Sequence, residues 1–312
     1  MQIIDSANPK KIQSIPLDKS LFEYKNIEFR KLLSPDILVL ENSDFLVTLP
    51  SSKSIYKYEH LTQKFVPFID LSKSVSENFV LNKLSLQKNL LFVQTDRTDS
   101  KNKEGSLAAI DIATSKIIKI IPLPGEHPDL NMDFDELRQK LWVTCIGSPN
   151  KNNGSQNRID LNPQSDKYLS VDYTYKNPAF EGTLALGNKF DSVFYVEHTA
   201  TPTESTHFFH RNFGPDGTLE NLVIKPSDTE DKTSAFERSD TLQMSANRKL
   251  AAISFNCEFF AYPRGGGLYF FDGTTGATYQ KLFAAGKIAA DVAPAPAVTI
   301  PFLVSGFAFL KP

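Results

Sequence analysis

Cysteine, tryptophan and methionine are scarce in this sequence, with 2, 1 and 3 residues among 312. Two cysteines are too few for the disulfide framework that stabilises small secreted domains. An excess of either charge is also missing, because 34 basic residues face 36 acidic ones and the net charge is −2. Without a dense basic block, the chain lacks the electrostatic footprint of a nucleic-acid-binding protein.

Signatures of catalysis are missing as well. The sequence contains no HExxH, no GxSxG and no paired Cys/His spacing. The glycine run 265–267 resembles a phosphate-binding loop in composition only, since a predicted strand follows it and no Lys-Ser/Thr pair does. We therefore expect any site to be assembled from separate parts of the chain.

Long apolar segments without interruption are absent too. The stretch 292–310 carries no charge, but Pro294, Pro296 and Pro301 break it, so we predict no membrane span. Met1 and Gln2 lead straight into a strand pattern, without the basic start and apolar run of a signal peptide.

What the sequence does contain is a repeated hairpin pattern. In Ala108–Leu123 an apolar run ends in Asp111, a short polar turn follows, and a strand rich in β-branched residues begins at Lys116. The same pattern recurs, with decreasing clarity, at 2–17, 58–71, 159–171, 271–283 and 209–223.

A second hairpin precedes each copy, and its second strand is strongly apolar. These second strands are predicted at 45–49, 90–95, 141–146, 193–198, 250–255 and 302–309. A repeat of roughly 50 residues with four strands per unit is typical of a β-propeller. The sequence predicts a single all-β domain over 1–312, a six-bladed propeller of four antiparallel strands per blade. Its ring is closed where the N-terminal strands (2–17) complete the blade begun by the C-terminal strands (299–310).

The segment Leu107–Thr144, LAAIDIATSKIIKIIPLPGEHPDLNMDFDELRQKLWVT, resembles the YVTN-type repeat of bacterial β-propellers, with the NHL-type repeat as a neighbouring possibility. It departs from that pattern at Trp142, which stands in place of the usual tyrosine. The resemblance implies a propeller fold, a tendency to bind partners and export to the periplasm or the medium, but no single activity.

Propeller geometry separates two classes of loop. Turns inside hairpins lie on one face, and links between hairpins and between blades lie on the other, where the longer loops are predicted. We predict that 96–106 and 147–157, rich in Lys, Asn, Ser, Gly and Asp, are solvated links. Cys145 and Cys257 fall in blades that are not neighbours, so we expect two free thiols.

An acidic residue recurs near the predicted start of each innermost strand. These residues are Asp36, Glu77, Glu126, Glu181, Glu237 and, less regularly, Asp291. Either they form a ring of carboxylates suited to Ca²⁺ or Mg²⁺ at the mouth of the channel, or they point to water.

Two histidines and one loop complete the candidate binding residues. His127, between Glu126 and Pro128-Asp129, and His198, beside Glu197, are expected on the face with long links, as ligands or a general base. The loop 257–267 offers Phe259, Phe260, Tyr262 and Arg264 as a contact patch, unless its aromatic residues fold onto the blade.

These observations favour a monomeric, non-enzymatic binding module without a cofactor, whose partner is a protein, peptide or glycan. The alternative is a divalent-metal-dependent hydrolase that resembles the six-bladed gluconolactonase and lactonase group. Its catalytic residues would be Glu126, His127, Asp129 and Glu181, and its metal ligands would come from Asp36, Glu77, Glu126, Glu181 and Glu237. The lone Trp142 argues against a quinone-dependent oxidoreductase.

Overall fold

All regular elements that the structure describes are β-strands. The computed structural model describes residues 2–4, 12–14, 36–40, 44–49, 53–73, 79–97, 104–128, 132–145, 147, 154–177, 181–188, 190, 192–199, 205–212, 238–245, 247–256, 267–275 and 278–283. Among these residues there is no helix that could cross a membrane, and the charge-free stretch 292–310 lies outside them.

The strands are grouped below by the sheet to which they belong. The N-terminal hairpin comprises β1 (Gln2–Ile4) and β2 (Ile12–Ser14). Blade 1 comprises β3 (Ile37–Val39), β4 (Phe45–Leu49), β5 (Ser54–Glu59) and β6 (Lys64–Asp70). Blade 2 comprises β7 (Phe79–Gln87), β8 (Leu90–Arg97), β9 (Glu104–Asp111) and β10 (Lys116–Glu126). Blade 3 comprises β11 (Met132–Asp135), β12 (Lys140–Cys145), β13 (Gly154–Asp160) and β14 (Val171–Asn177). Blade 4 comprises β15 (Glu181–Leu186), β16 (Ser192–Thr199) and β17 (Ser205–Asn212). Blade 5 comprises β18 (Arg238–Met244), β19 (Leu250–Asn256), β20 (Gly267–Asp272) and β21 (Thr278–Phe283).

Each blade is an antiparallel meander, in which strands that are consecutive in sequence pair with each other. Four of the described sheets have four strands, and the sheet of blade 4 has three described strands, since 213–237 lies outside the described residues. The predicted hairpins at 58–71, 108–123 and 271–283 correspond to β5–β6, β9–β10 and β20–β21, so these predictions are confirmed. The predicted segment 159–171 covers mainly the turn between β13 and β14, and the two paired strands extend beyond it to Gly154 and Asn177.

Consecutive blades pack face to face through apolar side chains. Strand β8 shows the principle, because Leu91 and Val93 contact blade 1 while Phe92 between them contacts blade 3. This alternation follows from the period of two residues in a strand, and it buries both faces of the sheet. Similar clusters join blade 3 to blade 4 around Trp142 and blade 4 to blade 5 around Phe194.

The first strands of the five blades also contact one another in order, from β3 to β7, β11, β15 and β18. Strands in this arrangement surround a common axis, and the other strands of each blade lie progressively farther from it. Radial, repeated four-stranded antiparallel sheets are the architecture of a β-propeller.

The two faces of the propeller differ in how their loops are held. We call the side with the turns inside hairpins the turn face and the side with the other connections the link face. Turns of neighbouring hairpins are bonded to each other, as in the bonds from Ile112 N to Asn89 O (3.0 Å) and from Leu161 N to Gln139 O (2.9 Å). The turn face therefore forms a network of backbone hydrogen bonds.

Two polar segments that we predicted as solvated links are partly buried strand. Gln156 and Asn157 are fully buried in β13, and Ser106 in β9 is 8% exposed. Their side chains bond to other buried polar groups, such as Thr144 Oγ1 to Gln156 Oε1 at 2.7 Å. The prediction was wrong because polar composition indicates exposure only where the polar groups have no partners inside the protein.

Candidate binding site on the link face

The predicted site residues are described to different extents. Side chains are described for Asp36, Glu126 and His127, whereas Glu181 and His198 are described only by their strand positions. The remaining candidates lie outside the described residues: Glu77, Asp129, Glu237, Asp291, Phe259, Phe260, Tyr262 and Arg264. Cys145 is buried and forms no disulfide bond, as predicted, and Asn157 Nδ2 lies 3.5 Å from its Sγ. Cys257 lies outside the described residues.

Asp36 joins blade 1 to blade 2. Its Oδ2 accepts a hydrogen bond from the backbone N of Leu84 in β7 (2.7 Å), and its Oδ1 lies 3.4 Å from Lys83 Nζ. The backbone N of Asp36 donates to Thr48 Oγ1 at 2.8 Å. Because both carboxylate oxygens have partners within the protein, Asp36 serves to fix the position of the next inner strand.

Asp133 in β11 has the same role between blades 3 and 4, and the sequence analysis missed it. Its Oδ2 accepts a hydrogen bond from Leu186 N in β15 at 2.7 Å. In both pairs, an aspartate on one inner strand or directly before it binds a leucine N–H of the next inner strand. The acidic residues of these inner strands therefore hold neighbouring blades together.

Arg248, in the turn between β18 and β19, also binds Asp133 and thereby connects blade 5 to blade 3. Its two terminal nitrogens lie 2.7 and 2.9 Å from the carboxylate oxygens, and they also donate to the carbonyls of Phe134 and Leu186. Burial alone would lower the pKa of Arg248, but the charge and hydrogen bonds of Asp133, together with the charges of Glu136 and Asp135, raise it above its usual value. Blades that are not neighbours meet only near the axis, so this ion pair lies at the hub of the propeller.

The segment 124–128, which we call the crossing segment, passes from outer strand β10 over blade 3 toward β11. At Gly125, with φ +147°, an added Cβ would lie 2.8 Å from Cys145 Cβ and would also overlap Ser155 Oγ. The carbonyl of Glu126 accepts a hydrogen bond from Gly147 N at 2.9 Å. The first half of the segment is therefore held against blade 3.

The second half of the crossing segment is held against blade 2. Pro128 is buried, its ring packs where a side chain on Gly105 would otherwise lie, and its carbonyl accepts from Asn82 Nδ2 at 2.7 Å. Between the two anchors, His127 has φ +54°, which is uncommon for a residue other than glycine. Other described non-glycine residues, such as Lys88 and Gln139 in hairpin turns, have the same conformation, so this angle shows that the backbone at His127 is fixed and does not by itself mark a functional site.

Glu126 and His127 are partly exposed, and they belong to a segment that two blades hold in place. A carboxylate and an imidazole side by side accept and donate hydrogen bonds, and they act together as a general acid and base or as two metal ligands. In the strand register, Glu126 is paired with Glu104, the first residue of β9.

A second pairing of candidate residues occurs in blade 4. Glu181 opens β15 at the link face, and the register places it opposite His198 near the end of β16. Among the described side chains, however, no three His, Cys, Asp or Glu residues are grouped so that they could hold a metal ion. The described residues thus offer pairs of polar groups and no cation site.

Sequence analysis identified Glu126 and His127 but missed the residues that fix them. Asn82, Gly105 and Gly125 have no distinguishing motif, and they come together only through packing between blades 2 and 3. The available signal was the Pro-Gly-Glu-His-Pro sequence at 124–128. Prolines that restrict the backbone and a glycine that permits unusual angles flank Glu126 and His127, which indicates a special backbone conformation there.

Comparison with known protein families gives no match, and no curated protein matches the chain. Among solved structures, hydrazine synthase from Kuenenia stuttgartiensis has a TM-score of 0.54 at 12% identity, over 83% of this chain and 70% of that one. An exo-β-1,3-galactanase from Phanerochaete chrysosporium, in complex with galactose, has a TM-score of 0.51 at 13% identity, over 80% and 62%. The Dos1 propeller has a TM-score of 0.46 at 10% identity, over 80% and 59%. The neighbours have propeller-type folds, and identities this low show a shared fold alone.

Proposed function

We propose that this β-propeller is a non-enzymatic binding module whose link face holds a protein, peptide or glycan partner. The observation that carries the proposal is the crossing segment, which presents Glu126 and His127 from a backbone held by both blade 2 and blade 3. A preorganised backbone lowers the entropy lost on binding, so polar groups on it contribute more of their interaction energy to affinity. We propose that His198 belongs to the same binding face, and that Glu77 and the aromatic and arginine residues of the loop 257–267, which lie outside the described residues, do as well. Asp36 is not included, because its carboxylate is bonded to Leu84 and Lys83.

Selection from a displayed peptide library and an array of immobilised glycans tests this function. We expect binders whose affinity falls about tenfold or more in Glu126→Ala and in His127→Asn. Asparagine is chosen at 127 because it tolerates the left-handed backbone better than alanine. Lys88→Asn is the matched control, because Lys88 is exposed on the turn face and has the same left-handed backbone (φ +55°), and it should change no affinity.

The proposal is wrong if neither collection yields a binder. It is also wrong if the binders lose affinity in Lys88→Asn and keep it in Glu126→Ala and His127→Asn. Unfolding in urea should show that all three variants are folded, since none removes a hydrogen bond of the crossing segment's backbone.

The second candidate function is a divalent-metal-dependent hydrolase with Ca²⁺ or Mg²⁺ in the channel. The observation that favours it is the register of Glu181 opposite His198 and of Glu104 opposite Glu126. Carboxylates from Glu77, Glu181 or Glu237 would bind the ion, and Glu126, His127 and Asp129 would act near it. Elemental analysis of the purified protein separates the two functions, because a stoichiometric divalent cation favours the hydrolase over the binding module.

We also propose that the ring has six blades, built from YVTN-like or NHL-like repeats in one domain over 1–312. The sixth blade consists of the N-terminal strands (2–17) and the C-terminal strands (299–310), of which 299–310 lies outside the described residues. Support comes from blade 1, where Phe45, Val47 and Tyr58 face away from blade 2 and are 4%, 3% and 3% exposed. A further sheet on that side explains their burial. We propose in addition a monomeric protein that binds no nucleic acid and is exported.

A further inference from the structure

Strand β10 is the outermost strand of blade 2, and β9 is the one described strand that pairs with it. Every second residue of such an edge strand directs its backbone N–H and C=O away from the sheet, where another chain can pair with them. With 11 residues, β10 offers a long edge of this kind.

The side chains of β10 make this edge apolar as well as accessible. Ile118 is 50% exposed and Ile120 is 42% exposed, and they are two of the four large apolar residues that are exposed in the described part of the chain. The other two, Leu61 and Leu137, are isolated at the tips of turns. Among the described residues, the segment 116–121 is therefore where exposed apolar side chains coincide with a strand edge that has no described partner.

The charge of this segment has one sign. Lys116 and Lys119 are exposed, and no acidic residue occurs between Asp111 and Glu126. Lys119 Nζ donates to Ser170 Oγ at 3.0 Å, which uses one of the three donors of the ammonium group. By contrast, the outer strand β6 carries both Lys64 and Asp70 and has Pro67 near its middle.

The same strand limits where a partner can pair. Pro122 and Pro124 lack an N–H, and the register of β10 against β9 shifts between Ile117 and Lys119. Prolines and bulges commonly prevent indiscriminate pairing of edge strands. Here the prolines end the accessible ladder after Ile121, and the bulge lies within the segment 116–121, so the edge suits only a short partner.

We propose that the segment 116–121 of β10 binds an extended peptide in which acidic residues alternate with β-branched ones, as an added fifth strand of blade 2. Main-chain hydrogen bonds supply affinity in this mode of recognition, and the side chains supply specificity. The carboxylates of the peptide pair with Lys116 and Lys119, and its apolar side chains cover Ile118 and Ile120. This rim site is separate from the crossing segment.

A second copy of the chain fits this edge less well. Two copies paired through β10 would bring four lysine ammonium groups together without a carboxylate between them, and like charges across strands are destabilising. The acidic peptide removes that repulsion and replaces it with ion pairs.

Fluorescence anisotropy with labelled peptides of the length of 116–121 tests the proposal. We expect a peptide of alternating Glu and Val to bind, and the same peptide with Lys in place of Glu to bind at least about tenfold more weakly. Methylation of alternate backbone nitrogens in the Glu-Val peptide should abolish binding, because it removes the ladder donors.

Variants of the chain complete the experiment. The double change Lys116→Glu and Lys119→Glu should weaken binding about tenfold or more, and Ile120→Ser should weaken it several-fold. Lys64→Glu on β6 is the matched control and should bind as the unchanged chain does. Far-UV circular dichroism and urea unfolding check that each variant is folded.

Four results would overturn the proposal. They are failure of the Glu-Val peptide to bind, equal binding of the Lys-Val peptide, equal binding of the methylated peptide, and equal binding by Lys116→Glu/Lys119→Glu. Sedimentation velocity adds a fifth, a dimer of the chain that Ile120→Ser dissociates. The variant Glu126→Ala should lose affinity for the link-face binders and should bind the Glu-Val peptide as the unchanged chain does. The two proposals can therefore fail independently.

Discussion

At the scale of single residues, Arg248 connects three blades through one guanidinium group. It bonds to Asp133 in β11 and to Leu186 O in β15 from its own turn in blade 5, and it stacks over the ring of Phe190 at 4.5 Å. Both members of the Arg248–Asp133 pair are 14% exposed. An ion pair this shielded stabilises the fold mainly because the loss of either member leaves the other charge buried.

Replacing Arg248 by methionine should lower the free energy of unfolding by about 3–5 kcal/mol, the usual cost of leaving a buried charge without its partner. The double variant Arg248→Met, Asp133→Asn should recover part of that loss, because asparagine carries no charge to bury. Urea unfolding monitored by Trp142 fluorescence measures both. Lys249→Met, at the neighbouring exposed position, is the control and should change stability by less than about 0.5 kcal/mol. Equal stabilities of Arg248→Met and Lys249→Met would contradict the assigned role.

At the scale of elements, the crossing segment at the end of β10 is held in place by contacts with blades 2 and 3. Gly125 approaches Cys145 and Ser155 of blade 3, and Pro128 fills the space beside Gly105 of blade 2. Both contacts need a glycine on one side, since a Cβ at either position would overlap a neighbouring atom. The local sequence thereby determines the spacing between two blades.

Gly125→Ala should therefore lower the free energy of unfolding by about 3 kcal/mol, through overpacking against Cys145 and a disfavoured backbone conformation. Pro122→Ala, at an exposed position of the same strand, should have an effect of less than about 1 kcal/mol. Chemical denaturation of both variants checks the difference. If Gly125→Ala were as stable as the unchanged chain, the packing described for the crossing segment would be incorrect.

At the scale of the whole molecule, the proposed ring depends on strands from both ends of the sequence. Blade 1 buries Phe45, Val47 and Tyr58 on the side away from blade 2, and the rings of Phe45 and Tyr58 stack at 4.5 Å. If residues 2–17 belong to the blade that covers this side, their removal exposes these side chains.

The chain 18–312 should then be less stable by about 1.5–3 kcal/mol for each large apolar side chain that becomes exposed. Addition of the separate peptide 2–17 should restore the urea midpoint, while a scrambled peptide of the same composition should not. A truncated chain that unfolds at the same urea concentration as the full chain would refute the proposed closure.

Sequence and structure agree most closely where hydrogen bonds are local. Hairpins such as Ala108–Leu123 were predictable because alternation of apolar residues, turn residues and β-branched residues all act within one segment. The buried polar strand Gly154–Asn157 was not predictable in this way. Its polar side chains are satisfied by Thr144 and Thr174 on neighbouring strands, and composition does not reveal which partners a strand will meet.

The sequence by itself determined the apolar strands, the hairpins that join them and the propeller class, since these depend on periodicity and turn chemistry along the chain. It also indicated Glu126 and His127. Only the tertiary structure decided which residues hold Glu126 and His127 in place. Gly105, Asn82 and Cys145 lie on other strands, and packing alone brings them to the crossing segment. In the same way, only the structure shows that Asp36 and Asp133 hold neighbouring blades together. Asp36 accepts a hydrogen bond from Leu84 N, and Asp133 accepts one from Leu186 N. A carboxylate has the same formula whether it binds a ligand or a backbone amide, so its role depends on what packing brings within reach.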